Sequence, residues 1–404
     1  MKMPSQENYA IRPLNTGDVE QYNALLRYAF QITEQELSEC GWQDDEIKQS
    51  KFPVLERADV LGCFDGNDLV SQIAVYPLKM NIYGVVYPVG FVTSVCTYPE
   101  YSGRGIMKRL MHQSLEHMRQ RQQPVALLFP YSIPLYRKMG WEIISNKISY
   151  TVKDRQIPSQ LQAPGRVHRV NWDNEDFRNL HAQFAAATHG CLFRNALAWE
   201  EYWRWDEDDT VVAIYYDAAG KPSGYMVYLI KDDIMYVKEM IYLTSEAQQG
   251  LWEYIHAHDS MIDEVRGSSY YSDPIAFELD DGDIRETIRP YIMGRIVDAE
   301  QFFPKYRCDP TAENVTIAFE IEDHFLPWNN KTVTVLFHRG ECSLSAAAAK
   351  HHVKLSIATL TALMLGYKTA TKLQRLGRIE GEERTVRLLD DVLLHEAPYI
   401  SDYI

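Results

Sequence analysis

The sequence predicts an α+β protein, with two tandem α/β/α mixed-sheet domains followed by a smaller α+β domain. Three observations predict it. First, a strand at residues 91–97 runs through 98–102 into Gly103-Arg104-Gly105 and a helix that carries Met107, Leu110, Met111, Leu115 and Met118 on one face. Second, the same order of strands and helix returns between Val211 and Ile255, as an internal repeat would. Third, Val315, Ile317, Phe319 and Ile321, and later Val333 and Val335, alternate with other residues, the period of half-buried antiparallel strands. The expected domains are 1–156, 157–288 and 289–404.

Taken in order, residues 9–14 read as a short strand and Asn15-Thr16-Gly17-Asp18 as turn and cap. Val19, Tyr22, Leu26, Ala29 and Phe30 then form one apolar helical stripe. Asp65-Gly66 marks a hairpin, because that pair tolerates the positive φ a tight turn needs. Residues 124–130 read as a buried strand, and Pro-rich 157–165 as a linker. Strands at 211–216, 225–230 and 235–242 lead to a helix from Ser245. Laid without a gap on 96–110, residues 241–255 put Gly250 opposite Gly105 and Ala247-Gln248-Gln249 opposite Ser102-Gly103-Arg104. The second copy is therefore expected to keep the shape and lose the grip on an anion. The third segment begins near Tyr291, with one helix from about Ser356 to Gly366 and another closing near Leu394.

A chain of 404 residues is too long for one ordinary core. Its net charge of -15 argues against nucleic acid and anionic membrane as partners and favours cationic ligands such as polyamines. Cys40, Cys63, Cys96, Cys191, Cys308 and Cys342 are scattered without ligand spacing, and read as reduced thiols. The N-terminus, residues 1–7, lacks an apolar core of signal-peptide length and no stretch has the apolar length of a spanning helix, so a cytoplasmic enzyme is expected. His112 and His117 lie roughly 140° apart around their helix and cannot share a metal on one face. Cys96, mid-strand, reads as a small buried hydrophobe.

Glycines at a strand-to-helix turn let the backbone approach an anion, and the helix start adds unpaired N–H groups and a positive dipole end. Residues 103–108 are thus expected to cradle a pyrophosphate. Neither Gly-x-x-x-x-Gly-Lys-Ser/Thr nor Gly-x-Gly-x-x-Gly occurs here. The turn, followed one strand later by Leu135-Tyr136-Arg137-Lys138-Met139-Gly140-Trp141, resembles instead the GNAT superfamily of N-acetyltransferases. Ser102 stands where Arg or Gln is usual, and Met107 where a second small residue is usual. The run from Leu360 to Gly366, with Leu373, Leu376 and Gly377, is similar to sterol-carrier-like domains. Together the three segments resemble the enhanced intracellular survival (Eis) family over the whole chain.

That resemblance implies direct acetyl transfer from acetyl-CoA to an amine, without a metal or a covalent enzyme intermediate, in a homohexamer. It places Val95, Cys96 and Thr97 along the coenzyme arm on a splayed strand, with Val92 to Ser94 nearer the thioester. It maps the cradle onto Gly103, Arg104, Gly105, Ile106, Met107 and Lys108, where Arg104 and Lys108 compensate in part for Ser102. Tyr131 and Ser132 match coenzyme-lining positions, Tyr136 the general acid, and the terminal carboxylate of Ile404 the base. A thiol titrates at about 8.5 and a phenol at about 10, so the proton transfer is uphill by about 2 kcal/mol in water, a gap that burial of the thiolate can erase. Four of the last six residues are large and apolar, a poor composition for a solvated tail. Asp402 either helps bind a cation or is a solvated carboxylate, and Phe30, Trp42 and Phe91 could wall a cationic substrate. The expected acceptor is a polycationic small molecule such as an aminoglycoside, with a protein lysine as the enzymatic alternative. A non-catalytic coenzyme- or lipid-binding protein is the reading from a different class, motivated by Ser102 and Met107.

Overall fold

The computed structural model describes residues 9–39, 41–159, 162–204, 209–271, 274–312 and 314–404, so Cys40 and the first residues of the chain lie outside the described residues. The described strands form three sheets. The first has eight strands and is built on a meander of Asp59–Asp65, Asp68–Ile82 and Val85–Thr97. Tyr83 and Gly84, with φ of 50° and 81°, form its second turn, the backbone a two-residue hairpin demands. Ala10–Pro13 adds an outer antiparallel strand, and Val125–Leu128 lies parallel to Val85–Thr97. Side chains alternate across this sheet. Ala74, Tyr76, Phe91, Val125 and Leu127 pack under Val19–Phe30, whereas Leu61, Ile73, Val75, Val92 and Leu128 pack under the helix Ile106–Gln120.

The second sheet has seven strands, with Arg285–Pro290 at one edge and Arg166–Val170 at the other. The helix Ser245–His256 covers one face through Ala247, Leu251, Trp252 and Ile255, and Glu175–Ala187 covers part of the other through Phe177, Leu180 and Phe184. The third sheet has five strands, centred on Val315–Glu322 between Thr332–His338 and His351–Ser356. All of Ile357–Met364 is buried, because it packs between this sheet and the first, where the Ile296 N–H donates to the Thr361 hydroxyl at 2.9 Å.

Two strands sit in neither of the places the sequence suggests. Asn146–Lys153, expected in the first domain, is an inner strand of the second sheet, paired with Glu264–Ser269 and Arg285–Pro290. Met293–Ile296, expected in the third segment, is an inner strand of the first sheet, between Val125–Leu128 and Glu142–Ile143. Alternation along a strand says which face is buried; it does not say which partner the backbone takes. The two GNAT-shaped units are consequently interlocked. Among the described residues, no helix is long and apolar enough to cross a membrane.

The second copy also departs from the ungapped alignment. Its helix begins at Ser245, only Leu243 and Thr244 after the strand Ile234–Tyr242, so Ser245 is the counterpart of Ile106. Gly250 lies inside that helix, where a Cβ would stand 2.2 Å from the Tyr215 ring. It is a packing glycine.

Candidate active site

In the first copy residues 98–105 separate strand from helix. Gly103 and Gly105 both have φ of 76°, and a Cβ on either would meet nothing within 4 Å. The turn thus needs glycine for backbone conformation and for open space. Gly105 provides no side-chain cap, and the Arg109 N–H donates to the Gly105 carbonyl at 3.1 Å. The N–H groups of Ile106, Met107 and Lys108 therefore have no intrahelical acceptor. Ser102, Arg104 and Lys108 are exposed at this rim, Ile106 is buried beneath it and Met107 is half-buried. The Arg104 guanidinium is held by the Tyr9 hydroxyl and by the Glu100 carbonyl at 3.0 Å, beside the Tyr101 ring. A pyrophosphate fits this arrangement of open backbone, helix N-terminus and flanking cations.

The strand that leads to the cradle is split from its neighbour. Val85–Thr97 pairs with Val125–Leu128 only as far as Val92 opposite Leu128; beyond that point Thr93, Cys96 and Thr97 have partners on the Asp68–Ile82 side alone. The register shifts there, with Ala74 opposite Thr93 and Gln72 opposite Cys96. Ser94, in this bulge, has φ of 54°, and its hydroxyl accepts from Tyr22 at 3.1 Å. Cys96 is buried, and burial pushes its thiol well above the ordinary range. Val95 and Thr97 are half-buried on the same strand. The opening between the two strands gives Val95, Cys96 and Thr97 main chain that a ligand can pair with.

Tyr136 is buried on the same face of the sheet as the helix Ile106–Gln120. The short helix Ile133–Arg137 presents it to the cluster that holds Val92, Ile106, Leu128 and Trp141, with its ring 6.3 Å from Trp141. It is 5% exposed, and burial pushes its phenol up to about 12. Among the described residues its hydroxyl has no hydrogen-bond partner, in contrast to the satisfied hydroxyl of an ordinary core tyrosine. Ser132 is half-buried at the start of this helix, and Tyr131 is 98% exposed.

On the opposite face of the sheet, Thr93 and Ser94 line a pocket of about 450 Å³ together with Tyr22, Phe30, Lys51, Tyr76 and Ile404. Charges here come from Glu36 and Glu201 against Arg27, Lys51 and Arg204. Tyr76 donates to Glu201 at 2.6 Å, and Arg204 pairs with the same carboxylate. Burial, and after it the nearby Arg204, push the Lys51 ammonium down to about 8.

The tail reaches this pocket through buried contacts. Tyr399 packs on Phe184 and Tyr271, both at 4.9 Å, and its N–H donates to the His189 carbonyl at 2.9 Å. Asp402 is neither solvated nor open to a substrate; it is buried and pairs with Arg194 at 2.6 Å. Burial holds its carboxyl above the usual range although Arg194 opposes this. Arg194 also grips Glu239 at 2.7 and 3.0 Å, and Glu239 accepts from Tyr225 at 2.7 Å and from Ser401 at 2.8 Å. Burial raises the Glu239 carboxyl, but Arg194 and Tyr225 outweigh it and hold the group down at about 2. This network fixes the residues before Ile404. Sequence reasoning missed it, since Arg194 and Glu239 look like ordinary surface charges in their own segments.

The aromatic and histidine candidates take different places. Phe30 lines the pocket, Phe91 is fully buried in the core, and the Trp42 indole donates to the Arg204 carbonyl at 3.2 Å. His117 meets Asp59 at 3.0 Å, while His112 lies against Phe325 and Trp328. Among the described residues no group of His, Cys, Asp and Glu is arranged to hold a metal, and the five described cysteines are free and buried.

Comparison with known proteins identifies each of the three segments. Residues 10–144 match an acetyltransferase (GNAT) domain, 190–296 a second acetyltransferase (GNAT) domain, and 299–401 a sterol carrier protein domain. An uncharacterized N-acetyltransferase of Streptomyces avermitilis is 23% identical over 99% of this chain and 100% of its own length. A structure of a protein of Enterococcus faecalis, described as a probable N-acyltransferase, superposes with a TM-score of 0.90 at 26% identity, covering 98% of this chain and 100% of that one. Eis1 of Mycobacterium abscessus shares the fold with a TM-score of 0.80 at 19% identity, over 98% of this chain and 100% of its own.

Proposed function

Since the chain is an N-acetyltransferase of the GNAT/Eis type, with two GNAT domains and a sterol-carrier-like domain, we propose that its first GNAT domain moves an acetyl group from acetyl-CoA to a primary amine. The observation that carries this reading is the opening after Val92, with Tyr136 packed on one face of the sheet and Ile404 lining a pocket on the other. A donor held on the side of Ile106–Gln120 meets an acceptor that enters from the side of Val19–Phe30. The pyrophosphate rests on Gly103, Arg104, Gly105, Ile106, Met107 and Lys108. The coenzyme arm follows Val95, Cys96 and Thr97, beside Tyr131 and Ser132.

The amine nitrogen attacks the thioester carbonyl, the new C–N bond forms and the C–S bond breaks. Main-chain N–H groups at the bulge near Ser94 stabilise the oxyanion. The carboxylate of Ile404, with a reference pKa of about 3.5, is ionised at neutral pH; it orients the incoming ammonium and takes its proton through water. Tyr136 gives its proton to the departing thiolate. A phenol raised to about 12 is a weak acid, yet the same apolar surroundings raise the thiolate as well and keep the transfer close to balanced.

The pocket of about 450 Å³ is large enough for a small-molecule acceptor and also admits a lysine side chain. With the Ile404 carboxylate included, the pocket sets Glu36, Glu201 and that group against Arg27, Lys51 and Arg204, a balanced lining that suits one amine. An aminoglycoside, the acceptor class the family resemblance implies, is a second occupant to test. Amine-dependent release of CoA thiol is the test. Tyr136→Phe is expected to lower kcat about a hundredfold with acetyl-CoA affinity retained. A chain extended beyond Ile404 is expected to lose turnover in the same assay. Wild-type protein that binds acetyl-CoA and turns over no amine would instead support the binding-protein reading.

A further inference from the structure

Glu201 and Tyr403 line the inner pocket and also line a larger cleft of about 940 Å³ on the open face of the second sheet. In a protein with a net charge of -15 this face is basic. The strand register sets out its side chains in rows. Tyr236, Arg266, Thr151 and Arg285 stand opposite one another across four strands. Ser268, Ser149 and Thr287 form the next row, and Lys147 with Arg289 the third.

Residues directly opposite share a face with Cβ atoms about 5 Å apart, and like charges so placed destabilise a sheet. Lys147 and Arg289 are such a pair. Among the described residues neither of them, nor Arg285, makes an ion pair with a carboxylate. The Lys147 ammonium is half-buried over the rings of Tyr270 and Tyr291, at 5.9 and 5.8 Å. The carboxylates in the cleft are already engaged, Glu239 by Arg194 and Glu201 by Arg204. What remains is a cationic row flanked by hydroxyls that have no acid to neutralise it. That row is linked to the C-terminal tail, since Lys147 stands over Tyr291, whose hydroxyl donates to the Asp402 carbonyl at 3.3 Å. Phe129 bridges Tyr291 and Tyr403 at 5.6 and 5.1 Å.

We propose that Lys147 and Arg289, helped by Arg285, hold an anionic group of the acceptor, so that the substrate is an amine with a carboxylate or phosphate at its far end. This rests on the transferase reading above. The amine lies in the inner pocket, and the acid in the cleft that shares Glu201 and Tyr403 with it. The rest of the surface repels such a molecule, and this face collects it.

The experiment measures thiol release at saturating acetyl-CoA with ω-aminoalkanoates of increasing length, the matching ω-aminoalkyl phosphates, their neutral amides, and diamines. The best acidic amine is expected to exceed the neutral amide of equal length in kcat/KM by about tenfold or more, with the gap shrinking as salt is added. The carboxylate and phosphate series decide between the two acids. Arg289→Ala, an exposed edge-strand change, and Lys147→Met are each expected to raise KM for the acidic acceptor about tenfold more than for the neutral amide. Equal effects on both acceptors, or a preference for diamines, would overturn the proposal. Should no amine turn over, calorimetry of the aminoalkanoate against the protein with CoA still decides: binding lost in Arg289→Ala supports the site, and no binding to wild type refutes it. Failure of acetyl-CoA itself to bind would be a separate result, against the transferase reading.

Discussion

The two GNAT domains share a plan and differ in what they leave open. In each, a long strand carries a register shift and parts from its parallel neighbour, after Val92 in the first and after Val237 in the second. In the first, residues 98–105 swing out on two glycines and leave the helix start uncapped. In the second, Leu243 and Thr244 alone close the turn, and the Thr244 hydroxyl accepts from the Ala247 N–H at 3.1 Å. The second opening is filled too: Glu239, two residues past Val237, is buried with Arg194, Asp402 and Ser401. One copy thus keeps an open turn, and the other grips the tail, of which Ile404 lines the pocket beside the first copy's sheet. Duplicated folds diverge most at short turns and at a few charges, because the sheet tolerates either state.

Arg194→Met should break the comparison hardest. It leaves Glu239 and Asp402 as uncompensated buried carboxylates, at a cost of about 3–5 kcal/mol in denaturant unfolding. A near-normal midpoint would show that the second opening does not anchor the tail. The next effect is one of pH, at the junction of tail and first sheet. His189 accepts from the Tyr83 N–H at 3.2 Å and meets the Leu365 carbonyl at 3.1 Å, and burial pushes its imidazole down from 6.5 to about 4. A depressed histidine stabilises fully above its unfolded value, so stability should fall as pH drops from 6.5 toward 4, by on the order of 3 kcal/mol. His189→Gln should flatten that slope in urea titrations across the range.

A pair of glycine changes sharpens the contrast. Gly250→Ala should cost about 1–3 kcal/mol of stability through the clash with Tyr215, against a helix propensity that would otherwise favour alanine, and leave acetyl-CoA affinity intact. Gly105→Ala should do the reverse. Its added methyl meets nothing, so it costs only about 1 kcal/mol of strain at φ 76° while acetyl-CoA affinity falls about tenfold. If both variants lose affinity equally, the second copy is not the inert partner described. Smallest is Thr244→Ala, about 1 kcal/mol of stability from a lost cap, with coenzyme binding unchanged.

Local chemistry made much of this legible. The hairpin at Gly66, the helix from Ser245 and the turn at Gly103 and Gly105 announce themselves through backbone demands that few residues meet. The apolar composition of the last residues foretold a buried tail, and Tyr399, Ile400 and Asp402 are buried. Long-range choices were not legible. Asn146–Lys153, which alternates buried and open residues, and Met293–Ile296, which is buried throughout, exchange sheets, and only the three-dimensional path decides that. Nothing near Arg194 points to Glu239, 45 positions away. The alternation of Lys147, Ser149 and Thr151 reads as any solvated strand face until Arg289 is set opposite Lys147. The ungapped repeat alignment misled because the two turns differ in length.

The account turns on a single functional cradle per chain, and titration calorimetry with acetyl-CoA tests it most directly. The expected result is one site per chain, weakened by Gly105→Ala and indifferent to Gly250→Ala. Two equivalent sites, or no heat of binding at any concentration, would contradict it.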